Sequence, residues 1–285
     1  MAYIRPGKLL LFFVFIFCFI LPLYLVSLVS KNEIGGWFER LIGVVSVENS
    51  ISEVFAVPHT ATISKRGQYL SIPGSPMLDL EAEKDSLLVA WFNLSKLPRK
   101  GQRMVLFSKY GTLSNSAGPF GYALALAREG SRVRFSVYWG SSGITPKWYP
   151  FPEITFFPKT WFALALSLHK DRYLGLHIIN SPESAQPGVK LLGGYDLGAG
   201  ASQGLGEGDF IFGAYEERLF SGLIGPLSFV KKKKLYKEMK KLFHQAAKNP
   251  GGFRTFVGDT DLYLQVESGA VDKSRYANKV ILVPG

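Results

Sequence analysis

Several aromatic side chains lie close together in the middle of the chain, in a stretch that also contains glycine, serine and proline. A flat ring with an exposed face packs against the C–H surface of a sugar, and a neighbouring polar group orients the sugar through hydrogen bonds. The pattern therefore predicts a ligand-binding loop between two strands. An alternative stays open, since the same rings could fill the core beneath a long loop. The candidate ligand-binding residues are Arg134, Tyr138, Trp139, Trp148 and Tyr149.

The sequence contains few residues suited to cysteine catalysis or to zinc binding. The single cysteine, Cys18, lies inside an apolar run, which argues against thiol catalysis and zinc–thiolate sites in the rest of the chain. The four histidines, His59, His169, His177 and His244, do not have the spacing of a metal-binding motif. His177 falls on a predicted strand, where a histidine is more often packed or lining a face than bound to a metal.

The chain has a formal net charge of +11, and one short stretch supplies much of it. Lys231–Lys234 are followed by further lysines at helical spacing, so the solvated face of a helix explains the charge. The alternative is that Lys231, Lys232, Lys233 and Lys234 contact an anionic surface, either lipid head groups or an acidic polysaccharide. Nucleic acid is not an expected partner, because the basic residues are not spread over a face with interleaved aromatic residues.

The elements that must position these residues are mostly strands. Short alternating or apolar runs, separated by turn residues, predict nine strands between Ala56 and Val230. They indicate an all-β fold, an antiparallel jelly-roll β-sandwich. The glycine-rich run Gly193–Gly208 is predicted to be a loop, and a basic amphipathic helix is predicted over 231–248. The predicted strands are 69–72, 86–92, 104–110, 121–127, 132–138, 161–168, 173–179, 209–213 and 222–229.

Five patches of sequence resemble, in the correct order, strands of laminin-G-like and concanavalin A-like lectin/glucanase domains. The last patch resembles the hairpin that usually closes such a domain. The resemblance implies a β-sandwich that binds a glycan or a protein. The sequence departs from the family at Leu176–Ser181, which replaces the usual "L-Y-V-D-G" turn. The five patches are Gly67–Pro73, Ser86–Phe92, Gly121–Leu124, Thr160–Leu166 and Phe220–Gly225.

The resemblance also implies which chemistry to look for. Glucanases of this superfamily use an E-x-D-x-E run that places its carboxylates on one face of a strand. No such run occurs here, and the nearest counterpart, Glu81–Asp85, lies in a predicted turn before a strand. We therefore predict no catalytic residue and expect no glycan hydrolysis. Members of the fold often bind Ca²⁺ near one rim, and the candidate metal ligands are Asp196, Asp209 and Glu216.

The C-terminal residues 253–285 contain two further predicted strands, Leu262–Val266 and Lys279–Val283. Their sequence resembles the first strand of the family and the polar turn after it, which are hard to find before Gly67. One interpretation is that they complete the sandwich beside its closing hairpin. The other is that they begin a second, truncated copy.

The N-terminus predicts where the protein works. Leu9–Ser30 is 22 residues without a charge, enough to cross a bilayer once as a helix. The run is longer than the apolar core of a signal peptide and has a poor cleavage site, so a retained single-pass anchor is favoured over a cleaved signal. A short head usually stays in the cytoplasm, so we expect the main domain outside it, in a periplasm or at a cell surface.

These inferences predict five parts of the chain and one function. The parts are the anchor (1–31), a juxtamembrane helix or stalk (32–57), the sandwich (58–230), the basic helix and its turn (231–252), and the last strands (253–285). The predicted function is non-catalytic binding of a glycan or a protein partner at the cell envelope. The alternative is an accessory subunit of a membrane complex, docked through its spanning helix. An exposed cluster of Trp139, Trp148 and Tyr149 favours glycan binding, whereas burial of these rings together with an apolar patch on residues 34–45 favours the subunit.

Overall fold

The computed structural model of the chain describes residues 60–63, 68–73, 80, 83–111, 120–180, 188–202, 208–215, 218–233, 235–248, 262–266, 270–272 and 281–283. The predicted anchor, the predicted segment 32–57 and His59 lie outside these residues. Among the described residues, no helix is both long enough and apolar enough to cross a membrane.

Strands make up most of the described chain, as the turn-separated apolar runs predict. One helix, α1 (Tyr236–Lys248), is described near the C-terminus. The strands are β1 (Ala61–Ile63), β2 (Tyr69–Ile72), β3 (Asp85–Leu94), β4 (Arg103–Gly111), β5 (Phe120–Glu129), β6 (Arg132–Ser141), β7 (Ile144–Thr155), β8 (Trp161–His169), β9 (Tyr173–Ile179), β10 (Val189–Asp196), β11 (Phe210–Phe212), β12 (Ala214–Tyr215), β13 (Arg218–Leu219), β14 (Gly222–Lys232), β15 (Leu262–Val266), β16 (Ala270–Asp272) and β17 (Ile281–Val283).

The strands form two large sheets. Sheet A has the order β10-β9-β8-β3-β14-β15-β16, and β1 also pairs with β14. Sheet B has the order β17-β2-β11-β4-β5-β6-β7, and β12 and β13 form a separate hairpin. The large-sheet pairings between described strands are all antiparallel, so neighbouring strands exchange perpendicular hydrogen bonds.

The two sheets pack face to face around one apolar core. The ring of Phe92 on β3 lies 5.3 Å, between centroids, from Phe212 on β11 of the opposite sheet. Phe135 on β6 and Phe162 on β8 meet across the same core at 6.3 Å. The predicted all-β sandwich of two antiparallel sheets is therefore confirmed.

Helix α1 covers the outer face of sheet A and builds a second, smaller core there. Strand β3 is buried on both faces, with Leu88 and Phe92 facing sheet B and Leu87 and Trp91 facing the helix. This double burial explains the continuous apolar run in β3, since a strand with one wet face would alternate. The helix begins at Tyr236, later than predicted, because Lys231 and Lys232 still pair with β3. The helix and the residue before it contribute Leu235, Met239, Leu242, Phe243 and Ala247.

Two segments that the sequence indicates as irregular are edge strands. Strand β7 runs through Pro146, Pro150 and Pro152 at the edge of sheet B. An edge strand tolerates proline, because the missing N–H can fall on the side that has no neighbour. Strand β10 includes Gly193 and Gly194 at the edge of sheet A, where a bulge interrupts its register. The predicted loop between β6 and β7 was therefore wrong, because proline and glycine signal turns in isolation. The predicted loop Gly193–Gly208 was wrong over residues 193–196, whereas residues 197–202 are not in a strand, as predicted.

The closing strand β14 approaches β3 very closely at its start. A Cβ atom at Gly222 would lie 2.1 Å from the carbonyl oxygen of Asn93, a distance no side chain can adopt. Glycine is therefore required at this position of the hairpin.

The C-terminal residues take part in both sheets. Strand β15 pairs with β14 through Leu227–Phe229, and β16 pairs with β15. Strand β17 pairs with β2 on the edge of sheet B. The described tail thus adds strands to the sandwich on both of its layers.

Candidate functional site

The predicted ligand-binding residues lie on a regular hairpin, not in a loop. Strands β6 and β7 are joined by Ser142 and Gly143, and they carry all five residues. Successive side chains of a strand point to opposite faces. The hairpin therefore divides the five residues between the core and the outer face of sheet B.

Trp139 and Tyr149 face the core. Trp139 is 1% exposed, and its indole Nε1–H donates a hydrogen bond of 2.9 Å to the carbonyl oxygen of Ala201. Its ring stacks on Tyr122 with centroids 5.6 Å apart. Tyr149 is 7% exposed and packs against Tyr195, with centroids 5.1 Å apart. Both rings are too buried to stack against a ligand, so they serve the core.

The other three residues share the outer face of sheet B. Tyr138 and Trp148 are cross-strand partners whose ring centroids lie 5.4 Å apart, and both are half-buried. The guanidinium carbon of Arg103 on β4 lies 4.2 Å from the centroid of the Trp148 ring, a cation–π contact. Arg134 pairs with Glu153 on β7. The structure thus brings Arg103 to the ring of Trp148 and Trp148 to Tyr138, while Arg134 shares their face of the sheet.

Small side chains form the floor of this face. Ala123 and Ala125 on β5 and Val105 on β4 are buried against Tyr138 and Trp148. Short side chains keep the sheet surface low here, so the two rings stand above their neighbours. Burial raises the pKa of the Tyr138 hydroxyl, which therefore stays protonated and can donate a hydrogen bond. The residues called the aromatic face below are Arg103, Arg134, Tyr138 and Trp148.

Of the three predicted calcium ligands, the structure describes Asp196 and Asp209. Asp196 accepts two hydrogen bonds of 2.6 and 2.5 Å from Arg172, and these bonds hold the pKa of its carboxyl below the ordinary value. Asp209 accepts a hydrogen bond of 3.0 Å from Ser71 Oγ. Glu216 lies outside the described residues. Within the described part of the chain, no cluster of three or more carboxylate, histidine or cysteine side chains could hold a metal. Asp196 fits a calcium site poorly, because a guanidinium already neutralises it.

His177 packs beneath helix α1. Its ring centroid lies 4.5 Å from that of Phe243, and its Nδ1 has no hydrogen-bond partner among the described residues. Burial lowers the pKa of His177 to about 4, against a smaller opposing effect of a hydrogen bond with the backbone of Ala165. The side chain is therefore neutral at neutral pH and forms part of the helix–sheet contact.

The predicted basic residues lie where β14 ends and α1 begins. Lys232 pairs with Glu238 on the first turn of the helix at 2.8 Å. Lys233 lies 3.4 Å from Glu83. Lys231 is half-buried, and Lys234 lies outside the described residues.

A second aromatic cluster, which the sequence analysis does not identify, lies at the same end of sheet A. The ring of His169 is 4.3 Å from Tyr236 and 6.3 Å from Tyr173, between centroids. Tyr173 is 43% exposed and Tyr236 is 44% exposed. These two tyrosines are among the most exposed large apolar side chains of the described residues.

Asp85 connects this cluster. It is 5% exposed, and its Oδ1 lies 2.7 Å from His169 Nδ1 and accepts a hydrogen bond of 3.1 Å from the backbone N–H of Lys170. Its Oδ2 accepts a hydrogen bond of 3.2 Å from the N–H of Tyr236, the first residue of α1. A carboxylate at a helix N-terminus satisfies an N–H that has no partner within the helix. No local motif could indicate this contact, because Asp85 and Tyr236 are 151 residues apart.

A small pocket between the sheets has a volume of about 10 Å³, close to the space of one water molecule. Its lining includes Leu88, Trp139 and Ser86, whose buried Oγ has no hydrogen-bond partner among the described residues. This pocket is too small for a substrate, so the surface features above are the better candidates for binding.

No protein-family model matches the chain, and no curated protein matches its sequence. Among solved structures, an alginate lyase from Pseudomonas aeruginosa is 15% identical, with a TM-score of 0.36 over 54% of this chain and 66% of that one. The CBM40 of Ruminococcus gnavus IT-sialidase, bound to α2,3-sialyllactose, is 14% identical, with a TM-score of 0.42 over 62% of this chain and 90% of that one. The botulinum neurotoxin serotype D binding domain is 11% identical, with a TM-score of 0.42 over 65% of this chain and 42% of that one.

These names describe one lyase, one CBM40 with a bound sialyllactose and one neurotoxin binding domain. The chain spans less than two thirds of the alginate lyase and of the neurotoxin chain. Likeness at this level transfers no activity, ligand or residue role, because one β-sandwich fold serves many functions.

Proposed function

We propose that this protein is a membrane-anchored, non-catalytic binding module that recognises a glycan through the aromatic face of sheet B. The observation that carries the proposal is the half-buried pair of Tyr138 and Trp148, with Arg103 against the tryptophan ring. Rings that stand above a floor of alanine offer an apolar edge to a sugar, while the guanidinium and the Tyr138 hydroxyl offer hydrogen bonds.

Two further considerations support the proposal. The five patches that resemble laminin-G-like and concanavalin A-like domains overlap β2, β3, β5, β8 and β14, and none of these strands lies at the edge of its sheet. The carboxylate run of the related glucanases has no counterpart in the sequence, so binding without hydrolysis is the simpler function.

The location is also a proposal, and it rests on the sequence. Leu9–Ser30 is long enough and apolar enough to hold the chain in a bilayer. We place the sandwich outside the cytoplasm, in a periplasm or at a cell surface, where a glycan ligand would be accessible.

The test is a glycan array probed with the full-length protein in mild detergent, followed by the Trp148→Ala variant on any glycan that binds. Loss of the ring should weaken binding at least tenfold, or by about 1.4 kcal/mol. Phe157→Ala is the matched control, because Phe157 is a large ring that is 53% exposed and lies outside the aromatic face. It should bind like the wild type. Equal binding by both variants would contradict the assignment of the aromatic face.

The second candidate function is an accessory subunit of a membrane complex. The observation that favours it is the burial of Trp139 and Tyr149, which leaves fewer exposed rings than the sequence suggested. Purification of the full-length protein from membranes, with mass spectrometry of bound proteins, separates the two candidates. A stoichiometric membrane partner together with an empty glycan array would favour the subunit.

A further inference from the structure

Three elements bring basic side chains to one end of sheet A. The turn between β8 and β9 carries Lys170 and Arg172, the end of β14 carries Lys231 and Lys232, and α1 carries further lysines. The contacts of Asp85 hold the turn and the helix together at this end. The basic side chains of the turn are far in the sequence from those of β14 and α1 and lie close to them only in the folded protein.

The outward face of α1 is basic. The residues that contact the sheet include Met239, Leu242 and Phe243, whereas Lys237 and Lys241 are exposed. At 100° per residue, positions four apart lie on one side of a helix, and these two lysines fall opposite the buried residues. They therefore point away from sheet A.

Three of the acidic side chains around this surface have cationic partners, whereas the buried carboxylate of Asp171 accepts a hydrogen bond from the backbone N–H of Ser202. Asp196 pairs with Arg172, Glu238 with Lys232, and Glu83 with Lys233. Lys170, Lys237 and Lys241 form no ion pair with any other described residue. Positive charge is therefore in excess here. The residues called the basic end are Lys170, Arg172, Tyr173, Lys232, Lys233, Tyr236, Lys237 and Lys241.

Two exposed tyrosines lie among these cations. Tyr173 and Tyr236 flank His169, and the guanidinium of Arg172 lies 5.2 Å from the Tyr173 ring centroid. An amphipathic ring with a polar tip is the side chain that prefers the head-group region of a membrane, and lysines beside it favour anionic lipid.

We propose that the basic end docks on an anionic lipid surface, with Tyr173 and Tyr236 at the head-group level and Lys170, Lys237 and Lys241 against the phosphates. The proposal uses the membrane anchor of the proposed function but not the glycan site. Residues 31–60 connect the predicted spanning segment to β1 along the chain, so in the proposed anchored protein a lipid surface would have a high effective concentration for the domain. This favours lipid over a soluble acidic polysaccharide.

The test compares the full-length protein in nanodiscs of phosphatidylcholine with nanodiscs containing about 30% phosphatidylglycerol. A water-soluble acetylating reagent labels exposed lysines, and mass spectrometry gives the rate at each position. In the anionic discs, Lys170, Lys237 and Lys241 should react at least about threefold more slowly. Raising NaCl to about 0.5 M should restore their rates, because salt screens the attraction.

The chain offers an internal control and a matched variant. Lys96 and Lys100 are exposed beyond the other end of β3, a ten-residue strand, so they lie roughly 30 Å from Asp85. Their rates should be the same in both lipids. In the variant K237E/K241E, Lys170 should react equally fast in both lipids, whereas in K96E/K100E it should remain protected in the anionic discs.

Two outcomes would overturn the proposal. The first is equal reactivity of the three lysines in both lipids. The second is protection by soluble polygalacturonate but not by phosphatidylglycerol, which would make the partner an acidic polysaccharide. Either outcome leaves the glycan-array result of Trp148→Ala unaffected, and a chain that fails to insert into nanodiscs would instead contradict the proposed anchor.

Discussion

His177 makes the contact between sheet A and helix α1 sensitive to protonation. Its ring lies against Phe243, and burial holds its pKa at about 4. A histidine in an unfolded chain has a pKa of about 6.5. Between these values the unfolded chain binds a proton that the native protein does not, so stability falls as the pH drops through this window.

The prediction is that His177→Leu removes part of the acid sensitivity of folding. As the pH falls from about 6.5 to about 4, the free energy of unfolding of the wild type should decrease by roughly 2 to 3 kcal/mol more than that of the variant. Below about pH 4 the difference should become constant, because both states of the wild type are then protonated. Urea unfolding of both full-length proteins across this range measures it. Parallel profiles for the two proteins would show that His177 is accessible to protons in the native state.

At the scale of elements, one buried carboxylate joins helix α1 to the strands. Asp85 lies at the start of β3 and makes contacts to the β8–β9 turn and to the first N–H of the helix. All three contacts use the carboxylate as acceptor or ion-pair partner. An amide of the same shape could accept with one side only, and its NH₂ would face a donor.

The prediction is that Asp85→Asn destabilises the protein by about 2 to 4 kcal/mol, because it leaves a buried donor unpaired and removes a negative charge from the helix N-terminus. Asp196→Asn is the matched control. It makes the same chemical change in an exposed ion pair with Arg172, so stability should change little. Chemical unfolding of the two variants measures the difference. Equal effects would mean that Asp85 does not hold the helix in place.

At the scale of the whole molecule, the two candidate surfaces lie on opposite sides of the sandwich. The aromatic face is the outer surface of sheet B, and α1 covers the outer surface of sheet A. Docking of the basic end on a membrane would therefore leave the aromatic face directed away from the lipid. The two proposals are compatible with each other on geometric grounds.

The C-terminal tail belongs to the same scale, because its strands join both sheets. The prediction is that deletion of residues 253–285 costs at least about 3 kcal/mol of stability, since β14 and β2 each lose a hydrogen-bonded neighbour. Deletion of Pro284 and Gly285 alone is the control, and it leaves every described strand intact. Thermal and urea unfolding of the three proteins measures the effect. Full stability without residues 253–285 would instead favour a truncated second copy.

Strand predictions succeeded where burial alone explains the sequence. The apolar runs of β3 and β8 are long and end at polar residues, so their periodicity suffices to locate them. The prediction of strands failed for β7 and β10, where proline and glycine occur inside edge strands. Local propensity cannot show that a strand will lie at an edge, because that position depends on the order of strands in the sheet.

For the candidate site, the sequence analysis grouped Arg134, Tyr138 and Trp148 with two rings that lie in the core, and it could not separate the two sets. Tyr138 and Trp139 are neighbours in the chain and lie on opposite faces of the sheet. Because successive side chains of a strand point to opposite faces, one of the two must face the core and the other the outer surface. Only the packing of sheet A against sheet B decides which of them is inside.

By itself, the sequence determined the class of the fold, the principal strands, the basic helix and the charge that the helix carries, because these depend on local periodicity and composition. Tertiary structure alone decided which rings reach the surface and that Asp85, His169 and Tyr236 meet. Those outcomes depend on strand order and on contacts between distant residues. Such contacts form when the sheets bury their apolar faces against each other, and no local pattern specifies them.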